Sequence, residues 1–114
     1  MTKLEVYGEI VDAFISATNG YDVEEALRLF TSNAVIDDPS TGKRFDGHPG
    51  IREYVERFFV GYQTVTKVLS VKSLDASHVR VRVEFTGDFG HEIGRLDLTF
   101  DPSGLIARID ADLE

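Results

Sequence analysis

Two adjacent carboxylates, Asp37 and Asp38, close the apolar run Ala34-Val35-Ile36 and stand directly before Pro39. A carboxylate can take a proton from carbon or pass one between atoms, provided that it sits where a substrate can reach it. Strand alternation puts Ala34, Ile36 and Asp38 on one side and Val35 and Asp37 on the other. Asp38 therefore points the way the core residues point, where a charge is costly unless something pairs with it or uses it. Two readings stand side by side. Asp38 is a proton-transfer group on a pocket wall, or a turn-forming carboxylate bonded to the backbone after it. Asp37 reads as solvated.

Other chemistries lack their residues. The chain has no cysteine, so no thiolate nucleophile, disulfide framework or Cys-based zinc site is expected. His48, His78 and His91 share no metal-ligand spacing, and neither a metal nor a cofactor is expected. No glycine-rich phosphate loop precedes a helix, and no serine sits in a nucleophile elbow. A net charge of −8 repels phosphate backbones and argues against nucleic acid as partner. No apolar run reaches membrane-span length, and Met1-Thr2-Lys3-Leu4-Glu5 lacks a signal-peptide core, so the expected location is the cytoplasm.

The 114 residues suit a single domain spanning 1–114. Helical spacing of Val6, Ile10, Val11, Ala13, Phe14 and Ala17 predicts a first helix over about 4–17, with Asn19-Gly20 as its left-handed cap. Asp22-Val23-Glu24-Glu25 has a capping-box pattern, and Val23, Ala26, Leu27 and Phe30 form the next stripe. The strand carrying Asp38 follows, and Ser40-Thr41-Gly42-Lys43 turns a small hairpin. Pro49 suits the first turn of a third helix with Ile51, Tyr54, Val55, Phe58 and Phe59 on its stripe.

From Thr64 the period becomes two. Val79, Val81, Val83 and Phe85 alternate with His78, Arg80, Arg82 and Glu84. Leu96, Leu98 and Phe100 oppose Arg95, Asp97 and Thr99. Asp101-Pro102-Ser103-Gly104 reads as a type I turn. Leu105, Ala107, Ile109, Ala111 and Leu113 then oppose Ile106, Arg108, Asp110 and Asp112. The fold class is α+β: three N-terminal helices packed on a curved, mainly antiparallel sheet, forming a cone with an apolar pocket at its mouth. The charged outer face suits cross-strand pairing and contact with a second copy.

The order of elements, the Asn19-Gly20-Tyr21-Asp22 break, Ala34-Val35-Ile36-Asp37-Asp38-Pro39 and Gly47-His48-Pro49-Gly50-Ile51-Arg52-Glu53-Tyr54 resemble the NTF2-like superfamily. Within it the chain is similar to the SnoaL-like polyketide cyclases and the ketosteroid isomerases. The resemblance spans essentially the whole chain and implies the cystatin-like roll. Its functions are diverse, so fold alone does not name one. The resemblance puts Asp38 at the isomerases' general base. Phe14 falls at their oxyanion-hole tyrosine and Leu96 at their oxyanion-hole aspartate, and neither can donate a hydrogen bond. Without that term a faithful ketosteroid isomerase is not expected. The cyclases' acid/base aspartate has Asp110 as its nearest match, and Asp97 lies beside Leu96, but alternation turns both outward. Arg82-Val83-Glu84 superficially resembles part of the epoxide hydrolases' charged triad, again on the outer face.

The expectation is a small cofactor-independent protein binding an apolar molecule, acting as an isomerase or cyclase through Asp38. Phe14, Tyr54, Phe58, Val83, Phe85 and Leu96 are the expected substrate-binding side chains, with Tyr54 the candidate to replace the missing donor. The alternative is a non-catalytic ligand-binding or dimerisation module.

Overall fold

The computed structural model describes residues 3–114, with side chains from Glu5 onward; the signal-peptide reading at Met1 and Thr2 lies outside them. Helix α1 (Lys3–Asn19) turns Tyr7, Val11, Phe14 and Ala17 into the core. Tyr7 takes an inward place not expected of it, its ring stacked on Phe100 at 4.1 Å. Ala13, expected on the same stripe, is exposed. The helix ends in a Schellman arrangement: Asp22 N–H donates to the Ala17 carbonyl and Tyr21 N–H to that of Thr18. The left-handed residue is Tyr21 (φ 56°), not Gly20, because the cap falls one position later than the glycine suggested.

Helix α2 (Val23–Leu27) is a single turn whose N-cap, Asp22, accepts the Glu25 N–H at 3.1 Å. Phe30 already belongs to strand β1 (Phe30–Asp38), which hairpins through the short 3₁₀ turn Pro39–Thr41 into β2 (Lys43–Asp46). Gly42 closes that turn at φ 79°, a conformation glycine adopts freely. Helix α3 (Gly47–Val55) follows, so the three helices are not consecutive at the N-terminus: a hairpin separates the second from the third. The reason is topological. Strand β1 lies parallel beside the last strand, and β2 forms the sheet edge, before α3 crosses the concave face.

Strands β3 (Val65–Asp75), β4 (His78–Gly87), β5 (Gly90–Phe100) and β6 (Ile106–Leu113) complete a curved six-stranded sheet of order β2-β1-β6-β5-β4-β3. Every neighbouring pair is antiparallel except β1–β6. The expected alternation holds through β4 and β5, where Val79, Val81, Val83, Leu96, Leu98 and Phe100 are all buried. It fails at the start of β6. Phe100 pairs with Ile106 but Thr99 with Arg108, so Ala107 is an extra residue in the ladder. That bulge reverses the facing of everything before it, and Ile106 enters the core instead of pointing outward.

The outer face carries the charges as opposed pairs. Arg80 grips Asp97 through two bonds of 2.8 and 3.0 Å directly across β4–β5. Arg108 reaches Asp37 at 3.1 Å and Asp110 at 2.9 Å, Arg82 reaches Glu114, and Arg95 reaches Asp112. Asp97, Asp110 and Asp37 therefore all sit on this face, as their parity required. Glu84 meets His91 at 3.0 Å. Among the described residues, no helix is long and apolar enough to cross a membrane.

Candidate ligand cavity and the Asp38–Tyr54 pair

Strand β1 delivers Asp38 to the concave side along with Ala34 and Ile36, both fully buried, and the Asp38 side chain is itself 7% exposed. Its two oxygens have different partners. Oδ1 accepts the Ser40 N–H at 3.0 Å and the Ser40 hydroxyl at 2.6 Å, capping the 3₁₀ turn. Oδ2 accepts the Tyr54 hydroxyl at 2.6 Å, a long-range buried bond. Both readings of Asp38 thus meet in one side chain: one oxygen holds the turn and the other faces the helix across the sheet. A carboxylate oxygen has two lone pairs, so Oδ2 keeps one accepting direction beyond its bond to Tyr54.

Tyr54 reaches this point because Ile51, Tyr54 and Val55 form the buried stripe of α3. Its ring is wedged among Phe45 at 5.0 Å, Phe58 at 5.2 Å and Phe59 at 6.0 Å. Burial, reinforced by the adjacent Asp38 carboxylate, pushes the hydroxyl well above the ordinary tyrosine range. Tyr54 therefore stays neutral, and its single proton is committed to Asp38 rather than free for a ligand. That argues against its serving as the replacement oxyanion donor while Asp38 is ionised.

After Val55 the helix widens into a π-turn over Glu56–Val60, with Gly61 N–H donating to the Glu56 carbonyl at 2.8 Å. Widened turns of this kind recur at functional sites. Here it leaves Phe59 in the core, Phe58 half-buried and Tyr62 exposed at the end of the same segment.

A cavity of about 290 Å³ opens beside Asp38, lined by Ser40, Tyr54, Phe58, Phe59, Tyr62 and Phe85 among others. Thr41, Thr64, Phe89, Glu92 and Leu113 complete its wall and mouth. The volume lies near the lower bound of ligand pockets, roughly 300 Å³, which favours a compact molecule. Asp38, Tyr54, Phe58 and Phe85 come together here. Phe14, Val83 and Leu96 do not line it: each is at most 5% exposed and belongs to the core beneath. Phe14 packs edge-on against Phe30 and Phe59, beneath the cavity rather than on its wall.

The wall residues outside the expected set had partial signals. Strand parity through Leu96 and Gly94 leads to Glu92 on the concave face, across from Phe85. Phe89 is a large aromatic in the two-residue turn between β4 and β5, where a polar residue is usual. Tyr62 follows Phe58 by one helical turn. Gly94 had no evident role in the sequence; a Cβ there would stand 2.7 Å from the Phe85 ring, so the glycine is what lets that ring lie across the strand.

Among the described residues no three His, Asp or Glu side chains gather to hold a metal ion. The histidines go to separate partners: His48 to the Phe30 carbonyl at 3.2 Å, His78 to Asp75 at 2.7 Å, and His91 to Glu84.

Among solved structures, SalBIII, an epoxide hydrolase/cyclase-like enzyme with a role in pyran ring formation in polyether salinomycin, superposes with a TM-score of 0.86. It is 22% identical, with 100% of this chain and 95% of that one covered. RV0760c of Mycobacterium tuberculosis, solved in complex with estradiol-17beta-hemisuccinate, gives 0.80 at 13% identity, covering 93% of this chain and 92% of that one. A candidate polyketide cyclase from Sinorhizobium meliloti gives 0.81 at 23%, covering 90% and 93%. These likenesses establish the fold alone. No curated protein matches the chain. The family described as SnoaL-like domain matches residues 11–108, most of the chain and both partners of the Asp38–Tyr54 pair. The chain belongs to the SnoaL-like domain family and has its NTF2-like fold.

Proposed function

We propose that the cavity binds a compact, mainly apolar molecule and that Asp38 moves a proton at a carbon beside that molecule's carbonyl. The observation that carries this reading is a buried carboxylate on the cavity wall whose Oδ2 is oriented by Tyr54 at 2.6 Å. For a carbonyl compound with a C=C bond one carbon further on, Asp38 takes the C–H proton between the two groups, and the electron pair delocalises onto the carbonyl oxygen as a dienolate. Return of the proton to the far end of the former C=C bond completes an isomerisation in which the double bond moves into conjugation. No redox change is involved. Membership of the SnoaL-like family supports the reading, as do neighbours described as cyclase-like or solved with a steroid ester.

A second reading, a binding protein without chemistry, draws on the donor inventory. The lining hydroxyls of Ser40, Thr41, Tyr54 and Thr64 all donate within the protein, which among the described residues leaves only Tyr62, at the exposed mouth, to face an enolate. One experiment separates the two. Phenolic, steroidal and polyketide-like compounds are screened by thermal shift, and any hit is assayed for turnover with the wild type and Asp38→Asn. Turnover lost in the variant while binding persists supports proton transfer. Binding without turnover in either protein favours the binding module.

We further propose that a second copy pairs through the outer face of β4, β5 and β6, where Arg80, Arg95 and Arg108 are each paired with an aspartate within the chain. Sedimentation equilibrium tests it; a monomer at tens of micromolar would refute it.

A further inference from the structure

We infer that Tyr62 is the residue that hydrogen-bonds the ligand, and that the ligand is a neutral apolar molecule presenting a carbonyl-type oxygen toward the cavity mouth. This rests on the cavity being a ligand site. Each lining hydroxyl has one proton to give. Ser40 gives its proton to Asp38 Oδ1 at 2.6 Å, Tyr54 to Asp38 Oδ2, Thr41 to the Asp38 carbonyl at 2.8 Å, and Thr64 to the Phe58 carbonyl at 2.7 Å. Tyr62 differs. Among the described residues its side chain makes ring contacts only, with Phe58 at 6.2 Å and Phe89 at 5.9 Å, and its hydroxyl has no protein partner. It is 43% exposed, which in the free protein leaves that hydroxyl to water and in a complex leaves it to the ligand.

The position of Tyr62 is built, not loose. A Cβ at Gly61 would come within 2.6 Å of the Arg57 carbonyl oxygen, so only glycine lets the chain leave the π-turn on this course. The Tyr62 carbonyl then accepts the Asp88 N–H at 2.9 Å, which clasps it to the turn joining β4 and β5. Gly87 permits that approach, since a Cβ there would lie 2.8 Å from the same carbonyl oxygen. The phenol is thereby fixed at the mouth between two aromatic rings, a geometry that aims a hydroxyl while its ring covers apolar surface.

Charge narrows the ligand class. Asp38 and Glu92 line the cavity, and among the described residues no Lys or Arg does. Arg57 lies over the Phe58 ring at 5.3 Å but is not part of the wall. An anion entering would face two carboxylates with nothing to pair with.

The test uses 2-acetylnaphthalene, 2-ethylnaphthalene and 2-naphthoate as probes, with dissociation constants measured for wild type and Tyr62→Phe. The substitution keeps the ring and its contacts and removes only the hydroxyl. Loss of the hydrogen bond is expected to weaken the ketone about three- to tenfold in the variant while leaving the hydrocarbon unchanged. In the wild type, the carboxylate should bind more weakly than the ketone. Equal weakening of ketone and hydrocarbon, or none for the ketone, overturns the role of Tyr62 while leaving the cavity reading intact. Naphthoate binding as tightly as the ketone overturns the neutral-ligand assignment. Failure of all three probes to bind the wild type overturns this inference together with the cavity reading on which it rests.

Discussion

Replacing Tyr54 by phenylalanine deletes one oxygen atom and, with it, the 2.6 Å bond that orients Asp38 Oδ2. The ring's packing against Phe45, Phe58 and Phe59 is retained, so the loss is confined to the hydrogen bond. A hydrogen bond to a charged acceptor contributes about 1.5–3 kcal/mol net. Oδ1 keeps both Ser40 bonds, and Oδ2 borders a cavity that admits water, so the cost should not exceed that range. For a chain of this size the corresponding fall in Tm is roughly 6–15 °C.

A second signature comes from the direction in which Tyr54 is shifted. Its folded-state pKa lies above the unfolded value near 10.0, so the stability it contributes is fully present below pH 10 and lost as pH rises through the folded value. Urea unfolding at pH 7 and along a series above pH 10 would measure both effects. The wild type should lose stability more steeply on the alkaline limb than Tyr54→Phe, after allowance for Tyr7, Tyr21 and Tyr62, which both proteins share. A variant with an unchanged urea midpoint at pH 7 and an unchanged alkaline slope would refute the claim that this bond holds the site together.

Gly94→Ala should cost about 1–3 kcal/mol by overpacking, because its Cβ would meet both the Phe85 ring at 2.7 Å and the Asp112 carbonyl oxygen at 3.2 Å. Denaturant melts would measure the loss, and a variant as stable as wild type would show that Phe85 can move aside. Glu84 should titrate below the ordinary glutamate value of 4.5, because His91 hydrogen-bonds its carboxylate. The stability this gives is present above about pH 4.5 and is lost as pH falls through the lower folded value. Carboxyl-carbon NMR titration should find Glu84 titrating higher in His91→Ala than in the wild type, and no change there would disprove the pairing.

The sequence by itself determined the element types, the α+β class and most of the facing. Period-two alternation depends only on backbone geometry, so Val81, Val83, Leu96 and Leu98 could be placed inward, and Asp97 and Asp110 outward, without coordinates. Asp38 was legible for the same reason: its parity matches that of Ala34 and Ile36. Depth along the concave face was not. Phe14, Val83 and Leu96 share that side with Phe58 and Phe85, yet only the latter two reach the cavity, because distance from the opening is set by how α1 and α3 cross the sheet. Ile106 was misplaced because the extra residue at Ala107 is a property of pairing between strands. Only the tertiary structure joined Tyr54 to Asp38, 16 positions apart, and brought Tyr62 to the turn at Asp88 and Phe89. Local patterns report which side a residue faces; which hydroxyl is committed and which remains free depends on contacts between segments distant along the chain.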